Sequence, residues 1–256
     1  MMKELSKSIF RRQRDPNFVT RYFKGTGIDI GGFPDPLSLY TEFFPLIESV
    51  RIWDLMDGDA ELMHLVGDDE FDFVVSSHCL EHLQDPYIGL KNWFRILKPE
   101  GHLVVTIPEE DLYEQGTWPS NKNLDHKWSF TVWKENSWAP RSVNILTLLQ
   151  SLGEKADIRS IRVEDSGYRY SVPSFDQTLT PTAESAIEFI IRKKTSEEVI
   201  KKASACANPG EIKNELLPYF HQYLDDMDAL KRMSKEFKPF QKSDPLPEVS
   251  GWREEE

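Results

Sequence analysis

The sequence predicts an α/β fold, a doubly wound and mostly parallel sheet flanked by helices. Three observations carry that reading. Short apolar runs recur along the chain, at Gly27-Ile28-Asp29-Ile30, Ser49–Trp53, Glu70–Ser76 and His102–Ile107, and the first two close on glycine or aspartate. A helix with a clear start and stop lies between the last two. At 256 residues, 39% hydrophobic and 29% charged, the chain is long enough for one full core with appendages.

Taken in order, residues 1–24 form a polar and basic N-terminal helical arm, carrying Lys7, Arg11, Arg12, Arg14 and Arg21. The four strands follow. In the helix before the fourth, Asp85 is the cap and Pro86 sits in the first turn, where its missing N–H costs nothing. Tyr87, Leu90, Trp93, Phe94 and Leu97 then share one face at helical spacing, with Trp93 and Phe94 turned to the core. Pro99-Glu100-Gly101 breaks the helix. Further on, Arg141 to Leu152 reads as a helix, Ile158 to Val163 as a strand, and Ala186 to Arg192 as the final strand. Residues 25–194 make the main domain, with 113–140 as a loop over the acceptor side. Residues 195–240 form a C-terminal helical extension, and 241–256, rich in proline and acid, a disordered tail.

Charge excludes several functions. A net charge of −12 disfavours sequence-independent binding to nucleic acid and docking on an anionic membrane. No apolar run approaches a membrane span, and the N-terminus lacks a secretory signal, so a cytoplasmic protein is expected. Cys79 and Cys206 fit no metal-ligand spacing, and no metal is expected. Cys79 reads as a buried free thiol.

Ligands of such sheets bind beyond the strands' carboxyl ends, where strand order reverses. That singles out Asp29–Phe33, Asp54, Ser76–His82 and Pro108–Tyr113. Glycines after the first strand let a ligand approach the backbone, and an acid ending the second suits a ribose diol. Together they point to an adenosine-type cofactor. Gly25-Thr26-Gly27-Ile28-Asp29-Ile30-Gly31 superficially matches a dinucleotide fingerprint, but its first two glycines precede the strand instead of following it. An NAD-dependent oxidoreductase or epimerase is therefore the rival enzyme. It lacks a Tyr-x-x-x-Lys pair placed after a strand.

The run from Glu70-Phe71-Asp72-Phe73-Val74-Val75-Ser76-Ser77-His78-Cys79-Leu80-Glu81-His82-Leu83 through Arg95-Ile96-Leu97-Lys98-Pro99-Glu100-Gly101 to Pro108 resembles the class I S-adenosylmethionine-dependent methyltransferases. The likeness is to the type 11-like group that methylates small molecules. Ile28-Asp29-Ile30-Gly31-Gly32 resembles that family's first motif, and the likeness spans roughly residues 25–193. It implies a Rossmann-like sheet of about seven strands, the last antiparallel, and S-adenosylmethionine as cofactor. Phe33 stands where the family usually has another glycine. The interval from Asp54 to Phe71 is also too short for the usual helix, strand and loop.

Carried across by resemblance, Asp29, Gly31 and Gly32 face the methionine end of the cofactor. Asp54 holds the ribose, Asp59 and Ala60 the adenine edge, and Ser77 and His78 line the sulfonium. Methyl transfer to a hydroxyl also needs a base. His126, in the loop expected over the site, is the first candidate, with His82, Glu109 and Glu110 as alternates. Tyr113, Trp118, Trp128, Phe130, Trp133 and Trp138 could offer ring faces to a sugar or shield the site. The expected reaction is O-methylation of a small polar acceptor such as a sugar, nucleotide-sugar or glycan precursor. A non-catalytic cofactor-binding protein is the other alternative, motivated by Phe33.

Overall fold

A computed structural model describes residues 4–207. Its centre is a six-stranded sheet: β1 (Gly25–Ile30), β2 (Ile47–Trp53), β3 (Phe71–Ser77), β4 (Leu97–Pro108), β7 (Ala156–Glu164) and β8 (Ala186–Lys193). The order across it is β2-β1-β3-β4-β8-β7. Strands β1 to β4 are parallel, and the last strand, β8, runs antiparallel to both its neighbours. A small parallel pair, β5 (Ser129–Thr131) and β6 (Ser142–Asn144), stands apart.

The period of two along each inner strand feeds two cores. Val74, Leu103, Val105, Phe189 and Ile191 point to one face, packed with Trp53, Leu90, Trp93 and Leu148. Phe73, Val75, Val104 and Ile190 point to the other, packed with Leu5, Ile9, Phe18, Phe23 and Phe44. Strands covered on both faces read as near-continuous apolar runs, the pattern that made β3 and β4 visible in the sequence.

The capped helix is α2 (Pro86–Arg95), where the Asp85 carboxylate accepts from the Tyr87 and Ile88 amides. The arm begins as α1 (Glu4–Arg12) and continues as a π-helical turn at Phe18–Tyr22. Leu5 and Ile9 bury its apolar stripe. Arg12 is buried and donates to Glu188 on β8 at 2.9 and 2.6 Å and to Thr106 on β4 at 2.9 Å. Its neighbour Arg11 donates to the other Glu188 oxygen at 2.7 Å and also meets Glu184.

Several boundaries depart from expectation. The sheet has six strands where about seven were expected, because residues 54–70 form no strand. That stretch is a chain of capped turns, pinned by Arg95 to the Met63 and Val66 carbonyls. Gly25 and Gly27 lie inside β1 and do not precede it; a Cβ on Gly27 would sit 2.1 Å from the Phe73 ring. Pro99-Glu100-Gly101 falls within β4, as an irregularity in its register with β3. The helix expected from Arg141 starts only at α3 (Ile145–Gln150), because Asn144 caps it after β6. Cys79 is half-buried, not fully buried. The chain ends its described part in α4 (Ser196–Ala207), and the expectations for residues 208–256 lie outside the described residues.

Candidate active site

Strand order reverses between β1 and β3, so their carboxyl ends diverge and leave a crevice. A cleft of about 230 Å³ lies there. Its walls include Asp29, Gly31, Gly32 and Phe33 after β1, Ser77, His78, Glu81 and His82 after β3, and Tyr113, Asn123 and His126 from the loop beyond β4. Glu4 and Leu5 of α1 close another side.

The β1 side is shaped for a ligand. Gly31 has φ +73°, and a Cβ there would lie 2.8 Å from the Cys79 Cβ. A Cβ on Gly32 would lie 2.7 Å from the Asp29 carboxyl group. Asp29 is buried; its Oδ2 accepts from the Leu37 amide at 2.7 Å, while Oδ1 has no partner among the described residues. Burial pushes its carboxyl up to about 7, against the pull of that amide and of Arg12. A buried acceptor without a donor, beside a side-chain-free backbone, suits a ligand that brings an ammonium or hydroxyl donor, as the methionine end of S-adenosylmethionine does.

The β3 side is a dense set of titratable groups. His78 turns the chain with φ +54°, and a 3-10 turn at Leu80–His82 follows. That turn buries Glu81 completely. The Glu81 carbonyl accepts from the Lys127 amide at 2.9 Å, and the Lys127 ammonium donates to the His82 carbonyl, which stitches the turn to residues 125–128. Around the Glu81 carboxylate stand His78 Nδ1 at 3.5 Å, His82 Nε2 at 3.8 Å and His126 Nε2 at 4.0 Å. These distances are too long for well-formed hydrogen bonds. Burial pushes the Glu81 carboxyl up, but the imidazoles, His78 first, outweigh it and hold it below its ordinary value. Burial likewise opposes a charged His78, yet Glu81 raises its pKa on balance.

The cleft brings together Asp29, Gly31, Gly32, Ser77, His78, His82 and His126 from the residues singled out in the sequence. Asp54, Asp59 and Ala60 do not line it. Asp54 accepts from the Phe33 amide at 3.1 Å and the Leu55 amide at 2.8 Å, so it braces the glycine loop from behind. Asp59 is exposed and caps the next turn through the Glu61 amide at 2.7 Å. The Ala60 carbonyl accepts from the Trp93 indole. Glu109 caps the turn after β4, where burial pushes its carboxyl up to about 7. Glu110 takes Lys134, Ser137 and Ser142, which gives it a structural post outside the cleft.

The aromatic loop also divides. Of its tyrosine, tryptophan and phenylalanine residues only Tyr113 lines the cleft. Phe130 is buried in the core, Trp128 donates to the Leu83 and Gln84 carbonyls, Trp138 donates to Asp111, and Trp133 is exposed. Glu81 went unnoticed as a functional residue in the sequence. The available signal was His78-x-x-Glu81-His82, three ligand-type side chains on a single turn at a strand's end.

Residues 44–105, from β2 through most of β4, match the model of the methyltransferase domain family. That stretch of the chain is therefore similar to a methyltransferase domain. Among solved structures, an S-adenosylmethionine-dependent methyltransferase from Archaeoglobus fulgidus is 17% identical. It aligns over 75% of this chain and 94% of its own, with a TM-score of 0.48. One from Mesorhizobium loti is 15% identical over 73% of this chain and 98% of its own, also at 0.48. The N-methyltransferase NodS from Bradyrhizobium japonicum is 14% identical over 75% and 96%, at 0.44. No curated protein sequence matches. Among the described residues, no helix is long and apolar enough to cross a membrane.

Proposed function

We propose that the protein transfers the methyl group of S-adenosylmethionine to an oxygen of a small polar acceptor, a sugar-like hydroxyl compound being the favoured class. The observation that carries this reading is the shared cleft. The glycine loop with Asp29 and the Glu81, His82 and His126 group face one space, so donor and proton-accepting groups meet there. Asp29, Gly31, Gly32, Ser77 and His78 hold the methionine end. Asp54 acts on the cofactor through the Phe33 loop that it braces, and Asp59 and Ala60 mark the adenine side.

His126 remains first among the groups that could take the hydroxyl's proton. Its Nδ1 is bonded to Glu114 at 2.8 Å, which orients the ring and leaves Nε2 towards the cleft. The polar walls, with Glu4, Asp35 and Asn123, favour a hydroxylated acceptor over an apolar one. Tyr113 is the ring face left to stack on it.

The test begins with ligand-dependent melting. Binding to the native state alone stabilises by about 2.7 kcal/mol at a hundredfold excess over Kd, so S-adenosylmethionine and S-adenosylhomocysteine should each raise Tm by several degrees. Transfer of labelled methyl to a panel of sugars, nucleotide-sugars, amines and thiols then identifies the acceptor. A folded sample that melts unchanged at millimolar cofactor would refute the donor. Transfer to amines or thiols alone would refute the oxygen acceptor.

A further inference from the structure

The Glu81 carboxylate is fully buried, and neither of its oxygens has a hydrogen-bond partner among the described residues. It faces three imidazoles, with His78 Nδ1 the nearest at 3.5 Å, and the other two have their remaining nitrogens already committed. His82 Nδ1 lies 2.9 Å from Asp125 Oδ2 and 3.2 Å from the Asp125 carbonyl. His126 Nδ1 lies 2.8 Å from Glu114 Oε1. Facing acceptors, each Nδ1 carries a hydrogen, so each neutral ring presents a bare lone pair at Nε2.

Three lone-pair donors then converge, Glu81 Oε1, His82 Nε2 and His126 Nε2, all within 4.8 Å of one another, and none supplies a hydrogen to the others. With no hydrogen among them these three atoms repel one another, and a cation placed among the three would relieve that repulsion. A carboxylate behind each ligating histidine is also the arrangement that fixes tautomer and raises basicity at metal centres.

We propose that Glu81, His82 and His126 bind one divalent first-row transition-metal ion at the side of the cleft. Two imidazoles and one carboxylate suit zinc, manganese, iron(II) or cobalt(II) and disfavour calcium and magnesium, which prefer all-oxygen sets. The separations of 3.8 and 4.0 Å from Glu81 Oε1 to the two nitrogens need only a modest closure to meet bond lengths of about 2.0–2.2 Å. Three protein donors leave positions open, and the group lines the cleft. Where the reading as an oxygen methyltransferase holds, an acceptor hydroxyl would take one of those positions, where the ion would lower its pKa and its proton would pass to solvent in the open cleft. His82 and His126 then act as ligands, and neither has to serve as the base. The metal site itself does not depend on that reading.

The experiment uses the full chain without an affinity tag, stripped with chelator and dialysed. Cobalt(II) is titrated while visible absorption and heat are followed. One equivalent should bind with d–d bands, and zinc should displace it. Glu81→Gln and His126→Asn should each weaken cobalt binding at least a hundredfold. Glu114→Gln should weaken it about ten- to a hundredfold, as outer partners of metal ligands do. His64→Asn, away from the group, should leave it unchanged. Circular dichroism and melting confirm that each variant is folded. A folded, stripped protein that takes up no cobalt at submillimolar concentration would overturn the proposal. So would wild-type affinity in Glu81→Gln, or loss of binding in His64→Asn. S-adenosylmethionine binding, measured by melting in the same stripped sample, reports separately on the donor site.

Discussion

Replacing Glu188 with glutamine should unfold the protein more readily than almost any other conservative change. Glu188 is buried on β8, with Arg12 on one oxygen and Arg11 on the other. Arg11 keeps Glu184 after the change, but the Arg12 guanidinium, whose side chain is wholly buried, loses its carboxylate. Breaking a buried pair from one side costs about 3–5 kcal/mol, because a charge remains unpaired. The pKa gives a second route to that figure. The two guanidiniums overcome burial and hold Glu188 at about 2, against an ordinary 4.5, which corresponds to about 3 kcal/mol. A carboxyl depressed in the folded state stabilises above its unfolded pKa, so this contribution is present above about 4.5 and lost as pH falls through about 2. For a domain of this size Tm should drop by about 6–20 °C. Urea melts of Glu188→Gln and of the double variant Arg12→Met/Glu188→Leu decide the matter. The double change removes both buried charges, so most of the stability should return. Helix α1 also carries Glu4 and Leu5 into the cleft wall, so cofactor affinity should fall and recover in parallel. A loss under about 1 kcal/mol in the single variant, or an equal loss in the double, would refute the latch.

Asp29→Asn should stabilise the ligand-free protein at pH 8 by on the order of 2–4 kcal/mol while weakening S-adenosylmethionine binding. A carboxyl raised to about 7 contributes fully below its unfolded value and loses that contribution as pH rises through 7, so the gain should vanish near pH 4. Urea melts of both proteins with one pH dependence would count against it. Gly31→Ala should cost about 1–2 kcal/mol from its positive φ and its approach to Cys79, and it should weaken the cofactor further by shifting the loop. Denaturant melts and cofactor titration check both halves, and unchanged affinity would remove Gly31 from the site.

The strands placed most closely from the sequence were those covered on both faces, because burial on two sides writes an unbroken apolar run, while the exposed edge strands β2 and β7 were found short of their bounds. Strands β3 and β8 appeared almost at their true bounds for that reason. Helix α2 was legible through chemistry at its start: Asp85 and Pro86 are a cap and a first-turn residue wherever they occur together before an apolar stripe. What failed was decided by contacts distant in sequence. The helix expected from Arg141 lost its first turn to the pairing of β6 with β5, and nothing local to Ser142-Val143-Asn144 announces that pairing. The segment 54–70 offered acids of the right type for a nucleoside. There Asp57 and Asp59 accept from neighbouring amides, a use that short acidic turns share with binding sites, and the adenine-side reading of Asp59 and Ala60 stands as a proposal.

The site shows the same division more sharply. Residues at strand ends could be placed from the sequence, because a parallel sheet fixes where its carboxyl ends lie. His126 could be placed only loosely, in a loop after β4, and its partners Glu114 and Glu81 not at all. Those partners decide what the ring can do. With Nδ1 bound to Glu114, His126 turns Nε2 to the buried Glu81 carboxylate, and His82, with Nδ1 on Asp125, turns its own Nε2 to the same group. A histidine serving as a lone base needs only the first of these contacts. Two histidines each backed by an oxygen acceptor and aimed at one buried carboxylate are the arrangement from which the metal site is proposed. The chain places that group beside the glycine loop, in the cleft proposed to take the methyl acceptor.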